Sequence, residues 1–391
     1  MKQLLTLLLT LLLTAFGAVA APDVDFDIDL DPFESDDEAV ATPDSLRPLS
    51  GNWVQQLWQT GFHINDPRIR YPRFPNFCRK VYNWGDRVFN SYDPNYVVST
   101  GKNWKITVDA LGSMQSYGYL FNTLPGTSDF NGVIMRSNVG YDLGVHLNFM
   151  AVSIGYTWNM NKLTNFNDAP RSTFTFSFTC ARFAVELLNQ KLEGNTYLRY
   201  FGTYNGGARI HIPLDNTRRN TFSINGYYFL NHNHYSQAAA YCFSKYQKRS
   251  AGTWLVGARY SRQFVQIDFT DLPASVLEYK PQGLPLLNQF RFHNIEAQAG
   301  YAFNGVMPHN WLFNITVLPG VGYRRSLTQH QTKRLSELIS TTIDGRMGFT
   351  YNHRAFFANA NIRANLSFLF NSGYSFLMSS EQAQIIIGAR F

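Results

Sequence analysis

The sequence predicts an all-β protein: a transmembrane, antiparallel up-and-down β-barrel of about 12–14 strands with a short helical N-terminal extension. Three observations lead there. Segments of about ten residues alternate apolar and polar side chains with a period of two, which separates two faces on a strand and scatters them on a helix. The chain opens on an export-type leader, yet no later run approaches the roughly 20 apolar residues of a transmembrane helix. Its last residue is Phe391, closing an alternating stretch where a soluble domain more often ends in a polar, frayed tail.

The leader is residues 1–20. Lys2 precedes a Leu/Thr run, and Ala18-Val19-Ala20 supplies a small-x-small cleavage pattern, so a signal peptide is expected. The apolar core is short for a membrane anchor, and no cysteine follows to carry a lipid. Residues 21–45 read as a disordered tether, because Asp23 to Glu38 carries nine acids and no base. Its Asp-x-Asp alternation lacks the turn glycine and spacing of a calcium loop, so neither a metal nor another cofactor is expected. Without this stretch the remaining chain is more basic than the overall net charge of +7. That balance suits anionic lipid headgroups, and export argues against nucleic acid.

Residues 46–92 form the helical extension. Trp53, Val54, Leu57 and Trp58 share one face of a first helix, and Phe77, Val81, Trp84 and Val88 one face of a second; Pro67, Pro72 and Pro75 separate them. Cys78, Cys180 and Cys242 are too scattered for a disulfide framework or a zinc site.

From residue 93 to the end the period is two. In "FFANANIRANLSFLF" Phe356, Ala358, Ala360, Ile362, Ala364, Leu366, Phe368 and Phe370 oppose Phe357, Asn359, Asn361, Arg363, Asn365, Ser367 and Leu369, so the two faces separate almost completely. "TIDGRMGFTY", "TFTFSFT", "NIEAQAGYAF", "WKITVDA" and "WLVGARYS" follow the same code. A soluble sandwich also alternates, but these strands are long, the chain is exported, and aromatics gather at strand ends (Trp104, Trp158, Trp254, Trp311, Tyr323, Tyr351) as interfacial girdles do. Tight connections are expected near Phe149-Met150, Cys180-Ala181, Gly305 to Asn310 and Asn352-His353-Arg354. Long ones are expected at 123–137, 160–170, 191–218, 266–289, 325–340 and 371–381. Short turns on one side and long loops on the other are the bacterial outer-membrane pattern, with the N-terminal extension in the periplasm. About thirteen strands can be traced, an odd number, so "YDPNYVV" is a candidate for one more. Residues 232–250 break the rule by placing a long segment where a short turn belongs.

That segment begins a block, "SINGYYFLNHNHYSQAAAYCFSKYQKRSAGTWLVGARYS", which with "NWLFNITVLPGVGY" resembles an uncharacterised outer-membrane family common in Bacteroidetes, known as domain of unknown function 4421. The shared pattern falls on Phe229 to His232, Tyr235, Ser236, Ala238, Ala239, Gln247, Lys248, Arg249, Ser250, Ala251 and Gly252. The resemblance spans roughly residues 93–391 and implies a β-barrel, without activity or catalytic residues.

If polar faces point inward, the lumen holds Lys105, Asp109, Arg182, Glu186, Arg259, Glu296, Asp344, Arg346, Arg363 and Arg390. Such a set either pairs and stiffens the wall or forms a basic eyelet that selects anions. Lys245, Lys248, Arg249 and Ser250 either constrict the lumen, bind lipid phosphate, or hold a structural turn. The reading is a narrow, porin-like pore or transport-related protein with a mixed-charge lumen. One alternative is a structural or docking protein using the acidic tether and helices. Another is a lipid hydrolase built from His232, His234 and Ser236, or from His146 and His293, although no nucleophile elbow is present. Expected partners are outer-membrane lipids, the barrel assembly machinery, and a periplasmic protein on the tether. In the closing "QIIIGARF", Ile385, Ile387 and Phe391 face outward while Gln384, Gly388 and Arg390 face inward, and the terminal aromatic resembles the signal that assembly machinery reads.

Overall fold

The computed structural model describes residues 48–391 except 61–64, 74, 77–79, 81–82, 84, 86–88, 103, 122–131, 150, 161–170, 195, 215, 327–336 and 371–373. The leader, the tether and much of the second expected helix lie outside the described residues. The first helix is present as α1 (Trp53–Gln59). Its Asn52 side chain accepts from the Gln55 amide while Gln55 reaches back to the Asn52 amide, a reciprocal cap that fixes where the helix begins.

Seventeen strands follow among the described residues. The first nine are β1 (Val97–Ser99), β2 (Trp104–Phe121), β3 (Gly132–Ser137), β4 (Gly140–Phe149), β5 (Val152–Asn159), β6 (Arg171–Thr179), β7 (Phe183–Glu193), β8 (Thr196–Phe201) and β9 (Ile212–Leu214). The rest are β10 (Arg218–Phe229), β11 (Lys245–Gln247), β12 (Ala251–Asp268), β13 (Leu287–Met307), β14 (Trp311–Ser326), β15 (Glu337–His353), β16 (Phe356–Phe370) and β17 (Tyr374–Arg390). Twelve of them, β2, β4 to β7, β10 and β12 to β17, form one antiparallel wall. β17 pairs with β2 from Tyr374 opposite Phe121 to Arg390 opposite Lys105, so the sheet closes on itself and leaves no edge in this wall.

The barrel proper begins at Trp104, later than residue 93. The "YDPNYVV" stretch does make a strand, β1, but it pairs with β11 away from the wall. Tight turns at 180–182, 308–310 and 354–355 and the junction of β4 with β5 gather at one end, where β2 begins and β17 stops. Most of the long loop expected at 371–381 is strand instead, because β17 already starts at Tyr374 and pairs with β16 without a break. The opposite end carries β3, β8 and β9, which extend a small sheet from the upper part of β2.

The two faces of the wall differ as the alternation dictates. Ile106, Val108, Val145, Leu147, Ile154, Val256, Ile295, Val321, Ile362, Ile385 and Ile387 are exposed on the outside. Trp104 packs on Phe149, Trp254 on Tyr301 and Trp311 on Tyr351, an aromatic girdle at the short-turn end. Along β14 the outward run from Trp311 to Tyr323 climbs about 30 Å at a tilt near 40°, the thickness of a bilayer core. Water would not tolerate so much exposed apolar surface on a folded monomer. The outside is a membrane-spanning surface, and among the described residues no helix is long and apolar enough to cross instead.

Inside, the filling is layered along the axis. Tyr117, Tyr119, Val265, Ile267, Phe292, Phe376 and Met378 turn inward near the long-loop end and pack with Val133, Met135, Leu198 and Phe201 of the small sheet. The middle layer is polar. The layer at the short-turn end is filled by residues from outside the wall.

Candidate functional site, a corked polar lumen

The filler is the segment between β10 and β12, residues 230–250, together with residues 89–100. β1 and β11 zip the two together, with Val97 opposite Gln247 and Ser99 opposite Lys245. Asp93 donates its amide to the Asn233 carbonyl and Lys248 donates to the Tyr96 carbonyl. Within the segment Ala238–Cys242 forms one wide helical turn, with Ala238, Ala239 and Ala240 buried. Small side chains let this turn enter a lumen that is already lined by side chains from the wall. Phe243 ends the turn in the left-handed region (φ 57°), an uncommon conformation for a residue with a side chain, and stacks on Phe357 at 4.6 Å. Tyr241 reaches across to β14, its hydroxyl 3.2 Å from that of Thr316.

Two cations of the closing seam hold the turn. Lys105 on β2 donates from Nζ to the Cys242 carbonyl at 2.6 Å. Arg390 on β17 donates from Nε to the Phe243 carbonyl at 2.7 Å, and its other nitrogens reach the Arg354 carbonyl and Asn352. Both cations are almost fully buried, with 1% and 3% exposure, and these contacts are to neutral acceptors. Removing the insert would uncover two positive charges at the mouth.

The residues singled out in 235–252 hold this cork. Tyr235 is buried against Phe229 and donates to Gln237. The Ser236 hydroxyl accepts the Ala239 amide, and its carbonyl accepts from Asn304 on β13. Gln247 is the hub: its carbonyl oxygen accepts the Ser236 amide and its amide group donates to the carbonyls of His234 and Arg249. Arg249 lies over the Tyr96 ring, and Ser250 accepts the Val306 amide. Ala251 and Gly252 open β12 opposite Asn304 and Phe303. Burial raises the Tyr92 phenol above its usual range beside Ser236.

Above the cork lies a polar cavity of about 330 Å³, floored by Tyr241, Cys242 and Phe243. Its wall carries a charge network that runs across the lumen. Arg346 on β15 makes a bidentate pair with Glu186 on β7, at 2.7 and 2.8 Å. Arg363 sits 3.9 Å from Glu186 and 3.8 Å from Asp344. Arg259 contacts Asp344, lies 3.5 Å from Glu296, and donates to Asn225. On the other side Asp109 holds His146 at 2.8 Å and accepts from Gln384, also at 2.8 Å. The His146 ring lies over Gly155 of the next strand, where any Cβ would collide with it.

Of the charges expected inside, Arg182 is misplaced. It belongs to the 180–182 turn, where strand alternation has ended, and its Nε donates to Ser91 at the rim. Lys105, Asp109, Glu186, Arg259, Glu296, Asp344, Arg346, Arg363 and Arg390 all point inward. Two inward arginines were overlooked. Arg219 donates to Gln115, and Arg324 stacks 4.2 Å above Phe292 and donates to Ser367. Both share a strand face with residues of the polar wall, Arg219 with Thr221 and Ser223, so their alternation carried the signal.

The residues named for hydrolysis do not assemble. His234 stacks on Tyr96 at 4.0 Å and lies 3.7 Å from Asp93, His232 meets Ser91, and Ser236 is fully buried in its cap. His293 is half-buried beside the Tyr260 hydroxyl. Among the described residues Cys180 and Cys242 are free thiols, and no His, Cys, Asp and Glu cluster has the geometry of a metal site.

A family model described as Domain of unknown function (DUF4421) matches residues 91–391. The chain belongs to this family. The match begins two residues into the 89–100 stretch, so nearly all of the cork lies within the DUF4421 unit together with the wall. Among curated proteins, none matches the sequence. Solved structures with similar stretches include the outer membrane protease OmpT from Escherichia coli, at 9% identity and a TM-score of 0.31 over 75% of this chain and 98% of that one. The translocator domain of autotransporter NalP from Neisseria meningitidis gives 13% identity and 0.28 over 81% and 98%. The toluene transporter TodX of P. putida gives 9% and 0.24 over 77% and 91%. These likenesses are too loose to carry an argument about activity, and the architecture of this DUF4421 barrel rests on its own strand pairing.

Proposed function

We propose that the protein is a bacterial outer-membrane barrel of the transport-related class, closed in the described state by its own internal cork. The short-turn end and the N-terminal extension face the periplasm, and the long loops face outward. The observation that carries this reading is the docking of the Cys242 and Phe243 carbonyls on Lys105 and Arg390. The cork is tied to the seam by these two bonds and to β13, β14 and β15 by side-chain bonds through Asn304, Thr316 and Thr350, and no disulfide fixes it among the described residues.

Uncorking leaves a lumen whose remaining barrier is the apolar layer around Tyr119, Phe292 and Phe376 at the long-loop end, which must part for solute to pass, and whose inward cations are Lys105, Arg219, Arg259, Arg324, Arg346, Arg363 and Arg390, set against Asp109, Glu186, Glu296 and Asp344. Rings of basic side chains favour small anions over cations. The test is solute efflux from proteoliposomes. Replacing residues 233–246 by a short Gly-Ser link should release a small anionic dye faster than a cationic one of similar size, while the intact protein retains both. Equal retention by a folded, link-bearing barrel would refute the transport reading.

A further inference from the structure

The membrane-facing wall carries a depression at the closing seam, and a basic surface stands at its upper edge. Pairing puts Met347, Ile362, Ala383, Gly112 and Tyr141 in one row across five strands, with Phe349, Ala360, Ile385, Ala110 and Leu143 in the row beneath. Ala383 and Gly112 lower the middle of the first row, and Ala360 and Ala110 dip on either side of Ile385 in the second, leaving a recess of about 580 Å³ lined by these side chains. Strands lie about 4.8 Å apart, so the rows span roughly 20 Å, with room for an acyl chain on either side of Ile385.

One step further toward the long-loop end, Glu381 and Met114 continue the same columns. Arg136 of β3 leans over both, 3.8 Å from the Glu381 carboxylate and 2.9 Å from the Met114 sulfur, with 44% of its side chain exposed. Arg136 belongs to the outer face of the small sheet. Val133, Met135 and Leu198 of that sheet are buried inward, which turns Arg136, Tyr197 and Arg199 outward. Arg199 donates to His211 at 2.5 Å, and Arg209 is exposed beside it. Burial, and then the nearby charges of Arg209 and Arg136, lower Arg199 below the usual arginine range. Against three arginines the cluster offers one carboxylate partner among the described ion pairs, Glu381.

The geometry points to a lipid-binding site: a multi-acyl glycolipid carrying more than one phosphate, its chains in the Ala110–Ala383–Ala360 groove and its phosphates on Arg136, Arg199 and Arg209. The choice of a glycolipid rests on the proposed orientation, in which this end meets the outer leaflet. The two features are independent and adjacent. A broad apolar recess alone accepts any lipid, and arginines alone accept any anion. Together they select a wide lipid with several negative charges, since guanidinium–phosphate pairs are directional and charge-assisted.

Native mass spectrometry of the detergent-solubilised full chain tests this, with bis-phosphorylated lipid A as the probe and cardiolipin, phosphatidylglycerol and phosphatidylethanolamine as competitors. Lipid A should give a one-to-one adduct that outlasts the other three on activation. The Arg136→Gln/Arg199→Gln variant should lose roughly fivefold in retention for each arginine removed, the factor that about 1 kcal/mol per surface cation corresponds to. Ala383→Phe fills the recess from the lipid side, leaves the lumen untouched, and should weaken the same adduct. Heat-modifiable migration on a gel checks that each variant is folded. Preference for cardiolipin would overturn the glycolipid assignment, and equal retention of phosphatidylethanolamine, or wild-type retention by folded variants, would overturn the site. None of these outcomes depends on whether the barrel conducts.

Discussion

Glu186 and Arg346 meet in a two-bond pair in the middle of the lumen, although they rise from β7 and β15, nearly opposite staves of the twelve-stranded wall. The pair is a crossbeam. It holds the two sides of the barrel at a fixed separation and, with Tyr227 bonded to the same guanidinium, bounds the polar cavity.

Breaking it from one side should therefore be worse than removing it. Glu186→Gln leaves Arg346 without its counter-charge, and losing one partner of a buried pair typically costs about 3 kcal/mol. Urea unfolding in lipid vesicles should show that loss for Glu186→Gln, and a clearly smaller one for Glu186→Leu/Arg346→Leu. Equal losses would mean that the pair adds little beyond packing.

The cork contains a pH-sensitive contact. Burial first, and then the positive charge of Arg182, lower His232 below its ordinary value, and the ring meets Ser91. A histidine that is harder to protonate when docked binds fewer protons in the docked state, so docking strengthens with rising pH and weakens as pH falls below about 6.5. Hydrogen exchange of residues 232–247 should accelerate on moving from pH 7.5 to pH 5.5. The acceleration should shrink in His232→Gln, and an unchanged pH dependence in that variant would place the titrating group elsewhere.

Phe391 closes the seam by backbone bonds to Trp104 in both directions, at 3.0 and 3.2 Å, while its side chain stays exposed on the outside. A deletion of Phe391 removes both bonds and the aromatic. Surface labelling and heat-modifiable migration should show less inserted barrel in cells, with unfolded chain accumulating. Normal insertion of the truncated protein would contradict an assembly role for the terminus.

The wall was legible because strand alternation is a local signal that the membrane makes strict. Ile385, Ile387 and Phe391 had to face one solvent and Arg390 the other, and a one-residue slip would exchange them. The cork was visible only as an anomaly. Residues 232–250 broke the short-turn rule, but nothing local says that Cys242 and Phe243 present carbonyls to Lys105 and Arg390, residues more than a hundred positions away in sequence. The crossbeam was hidden for the same reason: each charge was assigned to the lumen, while its partner depends on barrel circumference and stagger. Arg182 was misplaced because alternation says nothing once a strand has turned.

In the proposed transport reading the seam cations hold the inner end of the cork, and the lumen conducts when they let go and the apolar layer at the long-loop end parts. Single-channel recording in planar bilayers tests it most directly, comparing the wild type with Lys105→Met/Arg390→Met. The wild type should stay closed with rare, brief openings, and the variant should show stepwise, anion-selective current. A folded variant as silent as the wild type, or a wild type that conducts steadily with its cork in place, would contradict the account.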